Sequence, residues 1–426
     1  MVTRPTSFRS ALMSSWALLL GFGILMLGDG LQQTLLAVRA DQEGFSATVT
    51  GLVMSSFYVG FLLGSVMTPG FTAKVGHIRV FAALAALASA AILVHAVFIQ
   101  VPVWIALRLV SGFCFAGLYV VAESWLNDRA TNETRGKLLS LYMLVSYVGV
   151  GAGQLLLNLA APSEYPLFIL TSVLISIAVI PLLLSAGSPP TFHESVDIRL
   201  RELFRITPLG IVTIFAIGLV TATFFSLGPI YGRRMGLDVE NISYFIASAV
   251  AGTIILQWPV GALSDRFDRR IILTIATILT AAAAVGCVLA SQISNTMLLI
   301  SVGLFGGLAF PLYSVGIAYC NDHLDASQMI AASGALVLTS GLGAVLGPVL
   351  VAILMDRYGD QAFFWSMGAV HALISVFALY RMTRTRPVPL DKQGPSTPTA
   401  MHPSGSTIEC IQQYTQDETT DFSVDE

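Results

Sequence analysis

Two stretches of this chain repeat one another: GFCFAGLYVVAESWLND at residues 112–128 and GGLAFPLYSVGIAYCND at residues 306–322. They share a Gly, a Leu-Tyr, a Val and a closing Asn-Asp at an offset of 194 residues. A second pair, GFTAKVGHIR at 70–79 and GALSDRFDRR at 261–270, stands at nearly the same offset. Self-similarity at a fixed spacing indicates repeated structural units. The sequence therefore predicts two equivalent halves.

The composition around these repeats is that of a membrane protein. Charged residues are 11 % of the 426 residues, against about 25 % in a soluble domain, and hydrophobic residues are 55 %. So few charges could not cover that much apolar material in water. The net charge of -3 offers no basic field for nucleic acid. The four cysteines lie far apart without CxxC spacing, which predicts neither a disulfide framework nor a metal site.

Apolar runs of about 20 residues are long enough to cross the hydrocarbon core as helices. Twelve such runs occur, six before and six after a polar stretch near residue 195. Their approximate ends are 16–38, 48–71, 80–100, 103–126, 137–160, 166–184, 208–231, 241–263, 271–291, 297–320, 330–354 and 363–380. We therefore predict an all-α membrane protein with twelve transmembrane helices, in two six-helix bundles related by pseudo-two-fold symmetry.

The distribution of cations predicts the orientation. Lys and Arg remain on the cytoplasmic side of a membrane. With both termini inside, the only cations in loops on the outside are Arg39, Arg233, Arg234 and Arg357. We expect a multi-pass protein of the cell inner (plasma) membrane with cytoplasmic N- and C-termini.

The chain divides into four segments. Residues 1–185 are the N-terminal bundle and residues 208–385 the C-terminal bundle. Residues 186–207 are a cytoplasmic linker that could in part form an amphipathic helix. Residues 386–426 are rich in Pro, Ser and Thr, which predicts a disordered cytoplasmic tail.

Stripes of small residues recur in the fifth and eleventh spans. Small residues four apart on an apolar helix let two backbones approach closely, so these stripes are predicted to be helix-packing seams. They are Ser146, Gly149 and Gly153, and Ser340, Gly343 and Gly347.

Five short stretches carry a resemblance to a known family. GALSDRFDRR resembles the signature loop of the major facilitator superfamily, and RLVSGFCFAG at 108–117 resembles the arginine-bearing fourth-span motif of its proton-coupled members. GLGAVLGP at 341–348 is similar to the Gly-Pro motif of exporters. KVGHIRVFAALAAL at 74–87, together with AESWLND at 122–128, resembles the YcaD-like bacterial branch. The resemblance implies a secondary transporter that works by alternating access around a site at the membrane midplane.

The same resemblance implies that charged residues at the cytoplasmic helix ends form a gate. The alternative is that they are interfacial charges that only anchor the topology. The candidates are Lys74, Arg79, Glu123, Asp128, Asp265, Arg266, Arg270 and Asp322.

Three ionisable residues within the spans are candidates for proton coupling. Asp29 lies near the midplane of the first span, and Arg108 lies about 8 Å deep in the fourth, within reach of it by side-chain length. A change at this pair could make Asp29 take up or release a proton, whereas the alternative is a permanent structural ion pair. His95, level with Arg108, could titrate or could be a hydrogen-bonded packing residue.

Polar and aromatic residues on the spans that should surround the centre are candidates for the substrate cavity, although each could equally serve packing. Such a lining suits a neutral, cationic or amphipathic small molecule. They are Gln32, Gln33, Tyr58, Tyr119, Tyr147, Gln154, Phe224, Phe225, Gln257, Trp258 and Tyr313.

These observations predict a transporter of a small organic solute, coupled to protons and directed outward. A proton-coupled nutrient importer and a non-transporting ligand sensor are the alternatives. The chain contains no HExxH, no GxSxG and no phosphate-binding Gly-rich loop followed by Lys-Ser/Thr, so we expect no enzyme activity, cofactor or metal. The expected partners are the solute, protons and the lipid bilayer, and the protein is expected to be a monomer.

Overall fold

The structure is a computed structural model that describes residues 8–129, 131–184, 200–390 and 393–396. In the first half the helices are α1 (Phe8–Gln42), α2 (Ala47–Val75), α3 (His77–Val97), α4 (Val101–Arg129), α5 (Asn132–Leu155), α6 (Pro166–Ile177) and α7 (Ile180–Leu183). A short helix α8 (Leu200–Ile206) precedes the second half. There the helices are α9 (Pro208–Arg234), α10 (Val239–Arg266), α11 (Arg269–Ala290), α12 (Asn295–Ala309), α13 (Leu312–Asn321), α14 (Ala326–Tyr358) and α15 (Ala362–Met382).

Twelve segments of the described chain are long and apolar enough to cross a membrane, which confirms the predicted number. Two spans are interrupted helices: α6 and α7 form the sixth, and α12 and α13 form the tenth. The breaks lie next to Pro181 and Pro311. Proline interrupts a helix because it lacks an amide hydrogen and its ring clashes with the preceding turn.

Short polar side chains begin several of these helices. The Ser46 hydroxyl accepts the amide hydrogen of Val49 at the start of α2, and Asp238 accepts that of Asn241 at the start of α10. Such caps satisfy amide groups that have no partner inside the helix. Between α2 and α3 the chain turns at Gly76, whose φ of 90° favours glycine.

The helix pairings repeat between the halves as the sequence repeat predicts. In the first half α1 packs on α5, α2 on α4, and α3 on α6. The equivalent pairs in the second half are α9 with α14, α10 with α12, and α11 with α15. Across the halves, α1 contacts α9, α2 contacts α14, and α5 contacts α10.

The predicted small-residue seams are confirmed as sites of close helix packing. A side-chain carbon at Gly149 or Gly153 would collide with α1, and one at Gly343 or Gly347 would collide with the backbone of α9. The same glycine-dependent approach occurs where Gly252 of α10 meets the backbone of Gly303. These contacts hold each half together as a tightly packed unit.

The two ends of the bundle differ in how the apolar core is shared. We call the end that carries Arg39, Arg233 and Asp356 the Arg39 end, and the opposite end, with Asp265 and Asp322, the Arg269 end. Towards the Arg39 end one apolar cluster combines residues of both halves, from Leu31–Val38 of α1 to Val220–Tyr231 of α9. Towards the Arg269 end each half has a cluster largely of its own. The halves are therefore joined most extensively at the Arg39 end.

The linker and the tail are described in part. Residues 200–206 of the predicted linker form α8, and residues 185–199 lie outside the described residues. In the tail, residues 386–390 and 393–396 are described, whereas residues 391–392 and 397–426 are not.

Candidate functional site

The middle of the first half contains a buried polar group centred on Asp29. This residue lies halfway along the first span and is 1 % exposed. Gln33, one helical turn further along α1, donates a hydrogen bond from Nε2 to Asp29 Oδ2 at 3.0 Å. The other carboxyl oxygen, Oδ1, has no hydrogen-bond partner among the described residues. Asp29 therefore has one amide donor and a second oxygen free to interact with another group.

Arg108 is the charged neighbour of Asp29. Its guanidinium is buried, and its Cζ atom lies 4.4 Å from the centre of the Phe57 ring on α2. Within the described ranges Arg108 forms no direct ion pair with Asp29, although the two side chains interact electrostatically. Its Nε and Nη1 atoms lack hydrogen-bond partners in the same part of the chain. The cation–π contact offsets only part of the cost of burying this cation.

His95 occupies a packed position beside this group. Its Nδ1 donates to the Ala91 carbonyl at 2.8 Å, and its ring lies 5.5 Å from the ring of Trp104. The Trp104 indole donates to the His95 carbonyl at 3.2 Å. Arg108 acts electrostatically on the His95 ring. The contacts of His95 are those expected of a packing residue, and its proposed part in coupling rests on proximity to Arg108.

Other predicted cavity residues of the first half surround α1. The Thr34 hydroxyl of α1 donates to Gln154 of α5, and the Tyr119 hydroxyl donates to Met26 Sδ at 2.9 Å. Tyr58 shares a hydrogen bond with Ser226 of α9 and so joins the two halves. Two further predicted residues, Gln32 and Tyr147, are also buried.

The predicted cavity residues of the second half mostly make contacts within that half. Gln257 Nε2 donates to Ser314 at 3.0 Å, and the Tyr313 hydroxyl donates to Ser340 at 3.4 Å. Phe224 stacks on Phe245 with ring centres 5.6 Å apart and belongs, with Phe225, to a buried aromatic cluster. Trp258 is 77 % exposed. The structure therefore does not place Trp258 with the other predicted cavity residues in the interior.

At the Arg269 end of the second half, an arginine joins two acids. Arg269 is paired with Asp265 at 3.2 Å and with Asp322 at 3.3 Å. Burial raises the pKa of Asp322 to about 7, although Arg269 opposes the shift. Sequence reasoning selected Arg266 and Arg270 and missed Arg269, which is 1 % exposed at the start of α11.

The two arginines that the sequence analysis selected lie elsewhere. Arg266 is exposed. Arg270 pairs with Asp268 at 2.6 Å and donates to the Thr385 carbonyl at 2.8 Å, so it holds the chain that leaves α15.

The equivalent end of the first half is built from different contacts. His77 hydrogen-bonds with Ser124 of α4 at 3.2 Å, and its ring lies 6.1 Å from that of Trp125. Glu123 accepts a hydrogen bond from the Tyr142 hydroxyl at 2.9 Å. The remaining predicted gate residues here are exposed, and they are Lys74, Arg79 and Asp128.

Ion pairs connect the halves at the Arg39 end, and sequence reasoning did not identify them. Asp41 at the end of α1 pairs with Arg233 at 2.5 Å and with Arg234 at 3.7 Å, both at the end of α9. Arg234 also pairs with Asp356 and with Asp360. The sequence feature that could have predicted these ion pairs is the position of Arg233 and Arg234 in a loop on the side of the membrane where cations are rare.

A second link at this end caps a helix from the opposite half. Asp356 of α14 accepts hydrogen bonds from the Thr48 amide at 2.8 Å and hydroxyl at 2.7 Å, and from the Ala47 amide at 3.3 Å. These amides lie in the first turn of α2, where a helix has unpaired donors and favours negative charge. Nearby, Asn158 donates to Ser243 of α10 at 2.9 Å.

Two repeated bundles, with a buried polar group at mid-span in the first and polar links between the two at the helix ends, define a membrane transporter. The chain belongs to the major facilitator superfamily, whose family profile matches residues 18–314 and 241–409. It is a multi-pass inner-membrane protein and a secondary transporter that works by alternating access.

Its relatives and structural neighbours agree with this assignment. The chain is 27 % identical over 375 residues to an uncharacterized MFS-type transporter of Enterobacter sp. (strain 638), covering 88 % of this chain and 97 % of that one. It is 28 % identical over 375 residues to YcaD of Escherichia coli O139:H28 (strain E24377A / ETEC), with the same coverage, which supports the predicted YcaD branch. Among solved structures, nucleoside transporter NupG has a TM-score of 0.75 at 14 % identity, covering 87 % of this chain and 99 % of that one. A bacterial homologue of the human lysosomal transporter Spinster has a TM-score of 0.69 at 14 % identity, covering 89 % and 98 %.

Proposed function

We propose that this protein moves a small organic solute outward in exchange for protons, and that Asp29 is the group whose protonation changes during the cycle. One observation carries the proposal: a buried carboxyl group at mid-membrane lies beside a buried arginine without a direct ion pair. Ionisable residues are costly inside a bilayer and mark ion or substrate pathways by default. A group whose partner is near but not bound can change its state when the helices move.

Arg108 acts in this scheme as the partner that controls the charge on Asp29. It lies on α4 and contacts α2, whereas Asp29 lies on α1. A small displacement between these helices would bring the two groups together or separate them further. Because Asp29 is 1 % exposed in this conformation, the proposal requires the other conformation to admit water or solute to it.

Proton coupling is tested with purified protein in vesicles that contain a pH-sensitive dye, while candidate solutes are screened for coupled proton flux. We expect Asp29→Asn to abolish coupled proton movement while solute binding or solute exchange persists. The matched control is Asp238→Asn, the same exchange at an exposed helix cap, where Asn caps as well as Asp. Full coupled flux in Asp29→Asn would refute the assignment.

The direction and orientation of transport are tested separately. We propose that the Arg39 end faces outward and that both termini are cytoplasmic, because few cations lie at the Arg39 end. Labelling of Ala161→Cys in intact cells by a membrane-impermeant thiol reagent should succeed, whereas labelling of Ala73→Cys should require permeabilised cells. The opposite pattern would overturn the orientation. Solute accumulation in inside-out vesicles driven by internal acid would support export, and accumulation only in right-side-out vesicles driven by external acid would indicate import.

A further inference from the structure

A short segment of the C-terminal tail is bound to the charged cluster at the Arg269 end. The amide of Gly394 donates to Asp322 at 3.2 Å, and its carbonyl accepts from Arg269. The amide of Ser396 donates to Asp265 at 2.8 Å. The segment 393–396 therefore contacts all three members of the ion-paired cluster.

The side chain of Ser396 adds a contact with the helix itself. Its hydroxyl lies 3.1 Å from Asp265 Oδ2 and 3.2 Å from the Gly261 carbonyl. One hydroxyl hydrogen can serve only one of these acceptors at a time. Any side chain at position 261 would approach this hydroxyl, since an added carbon would lie 3.1 Å from Ser396 Oγ. Glycine at this position thus allows the tail to lie directly on α10.

The chain between α15 and this segment is also held. Arg270 donates to the Thr385 carbonyl at 2.8 Å, just after α15 ends, and Gln393 donates to the Val388 carbonyl at 3.1 Å. The tail therefore leaves α15 along the end of α11 before it reaches α10. A composition rich in Pro and Ser gives no sign of this contact.

The face of α10 that carries the tail also meets the first half. Near the Arg39 end, Ser243 bonds to Asn158, and Val250 contacts Gly151 of α5. Gly261 follows Ser243 by 18 residues, which is five turns of an α-helix, so both lie on one face. Segment 393–396 therefore covers, at the Arg269 end, the continuation of the α10 face that packs on the first half at the Arg39 end.

We propose that residues 393–396 form an autoinhibitory strap that holds the Arg269 end apart and must leave α10 before that end can close. Alternating access requires one end to close as the other opens, and the first half cannot use a face that the tail covers. The strap rests on alternating access alone and not on the proposed coupling ion or direction. It assigns the Asp265, Arg269 and Asp322 cluster a second role, as the receptor for this chain's own tail.

The test uses full-length protein with Cys410→Ser, since the other three cysteines are buried. A spin label at Pro395→Cys reports whether the tail is docked. Labels at Ala73→Cys and Phe267→Cys, which are exposed at the Arg269 end of opposite halves, report the distance between the halves. Neither measurement needs a solute or a proton gradient, so failure here is distinguishable from failure of the proposed function.

Two variants should release the strap by different means. Gly394→Pro removes the amide that donates to Asp322, and Ser396→Asp places a carboxylate against Asp265. Loss of one hydrogen bond of about 1 kcal/mol changes an equilibrium about fivefold. We therefore expect a mobile label at position 395 and an approximately fivefold larger population with a short distance across the Arg269 end. Thr383→Ala is the control, because among the described residues that hydroxyl bonds only to the carbonyl of Tyr380 at the end of its own helix.

Two results would overturn the proposal. If the label is as mobile in the unmodified tail as in Gly394→Pro, the segment is not docked. If both variants free the label but leave the distance distribution equal to that of Thr383→Ala, the contact has no influence on the transport cycle.

Discussion

Truncation of Asp356 should open the Arg39 end. Asp356 lies on α14, yet its partners Thr48 and Ala47 are in the first turn of α2, in the opposite half. Because these contacts exist only while the two halves meet at this end, their loss should change the balance between conformations more than the stability of either half.

The expected magnitude follows from the contacts. Loss of a carboxylate cap costs about 0.5 to 2 kcal/mol. The pair with Arg234, at 3.4 Å and with both side chains a quarter or more exposed, adds about 0 to 1 kcal/mol. A total near 2 kcal/mol is a shift of about thirtyfold, which would raise a conformation populated at about 1 % to about a quarter of the molecules. Asp356→Asn keeps a capping oxygen and should cause a much smaller shift than Asp356→Ala.

The assay is a distance measurement between spin labels at Ala161→Cys and Gln292→Cys, exposed positions in loops at the Arg39 end of the two halves. Asp356→Ala should add a population with a longer distance, Asp356→Asn should add little, and unfolding temperatures should stay close to that of the parent. Equal distance distributions in all three proteins would refute the view that Asp356 holds this end closed. A large fall in the unfolding temperature without a new distance would show that Asp356 supports folding instead.

Two further predictions concern packing and pH. Gly252→Ala should lower the unfolding temperature by several degrees, because the added carbon collides with the backbone of Gly303 and overpacking costs about 1 to 3 kcal/mol. Gly286→Ala should not, because no atom in the described part of the chain lies within 4 Å of the carbon added there. The strap should become mobile as pH falls through about 7. The Gly394 hydrogen bond lowers the pKa of Asp322, so the strap binds the charged carboxylate more tightly than the protonated acid, while burial raises the pKa to about 7 and so sets the pH of the transition. The other charged or titratable groups at this carboxyl are Asp265, Arg269 and His323. Burial lowers the pKa of His323, which therefore gains charge only at lower pH. A spin label at Pro395→Cys should record the transition, and a transition of the same size in Asp322→Asn would exclude this carboxyl as its origin.

The features predicted correctly from sequence are those that a bilayer imposes on every segment independently. A span must be apolar over about 20 residues whatever its neighbours are, so the twelve helices could be counted before their positions were known. The glycine seams were predictable for a similar reason, because only small residues permit close backbones. Gly149 and Gly343, for example, predict that α5 and α14 each pack closely on another helix, but they do not indicate which helix that is.

The features that were missed depend on which distant residues meet. Arg233 and Asp41 are 192 positions apart, and nothing local in either segment requires the other. At the Arg269 end, three arginines lie within five residues, at positions 266, 269 and 270. The direction in which α11 begins decides which of them reaches the acids, and it places Arg269 between Asp265 and Asp322. The sequence pattern identified the loop between α10 and α11 as charged, whereas only the packed fold shows which of its arginines pairs with both acids.

The two ends of α10 connect these observations. Ser243 and Gly261 lie on one face about 27 Å apart, at 1.5 Å per residue, and α10 runs through both residues with Pro259 close to its Gly261 end. A tilt of α10 relative to α5 that separates Ser243 from Asn158 brings Gly261 towards the first half. A strap on Gly261 resists that movement and so favours the contact between Asn158 and Ser243 at the other end. The Asp356 cap and the Asp41 ion pairs favour the same conformation, in which the halves meet at the Arg39 end. Contacts at opposite ends of the molecule thus bias a single equilibrium, with the polar group around Asp29 between them.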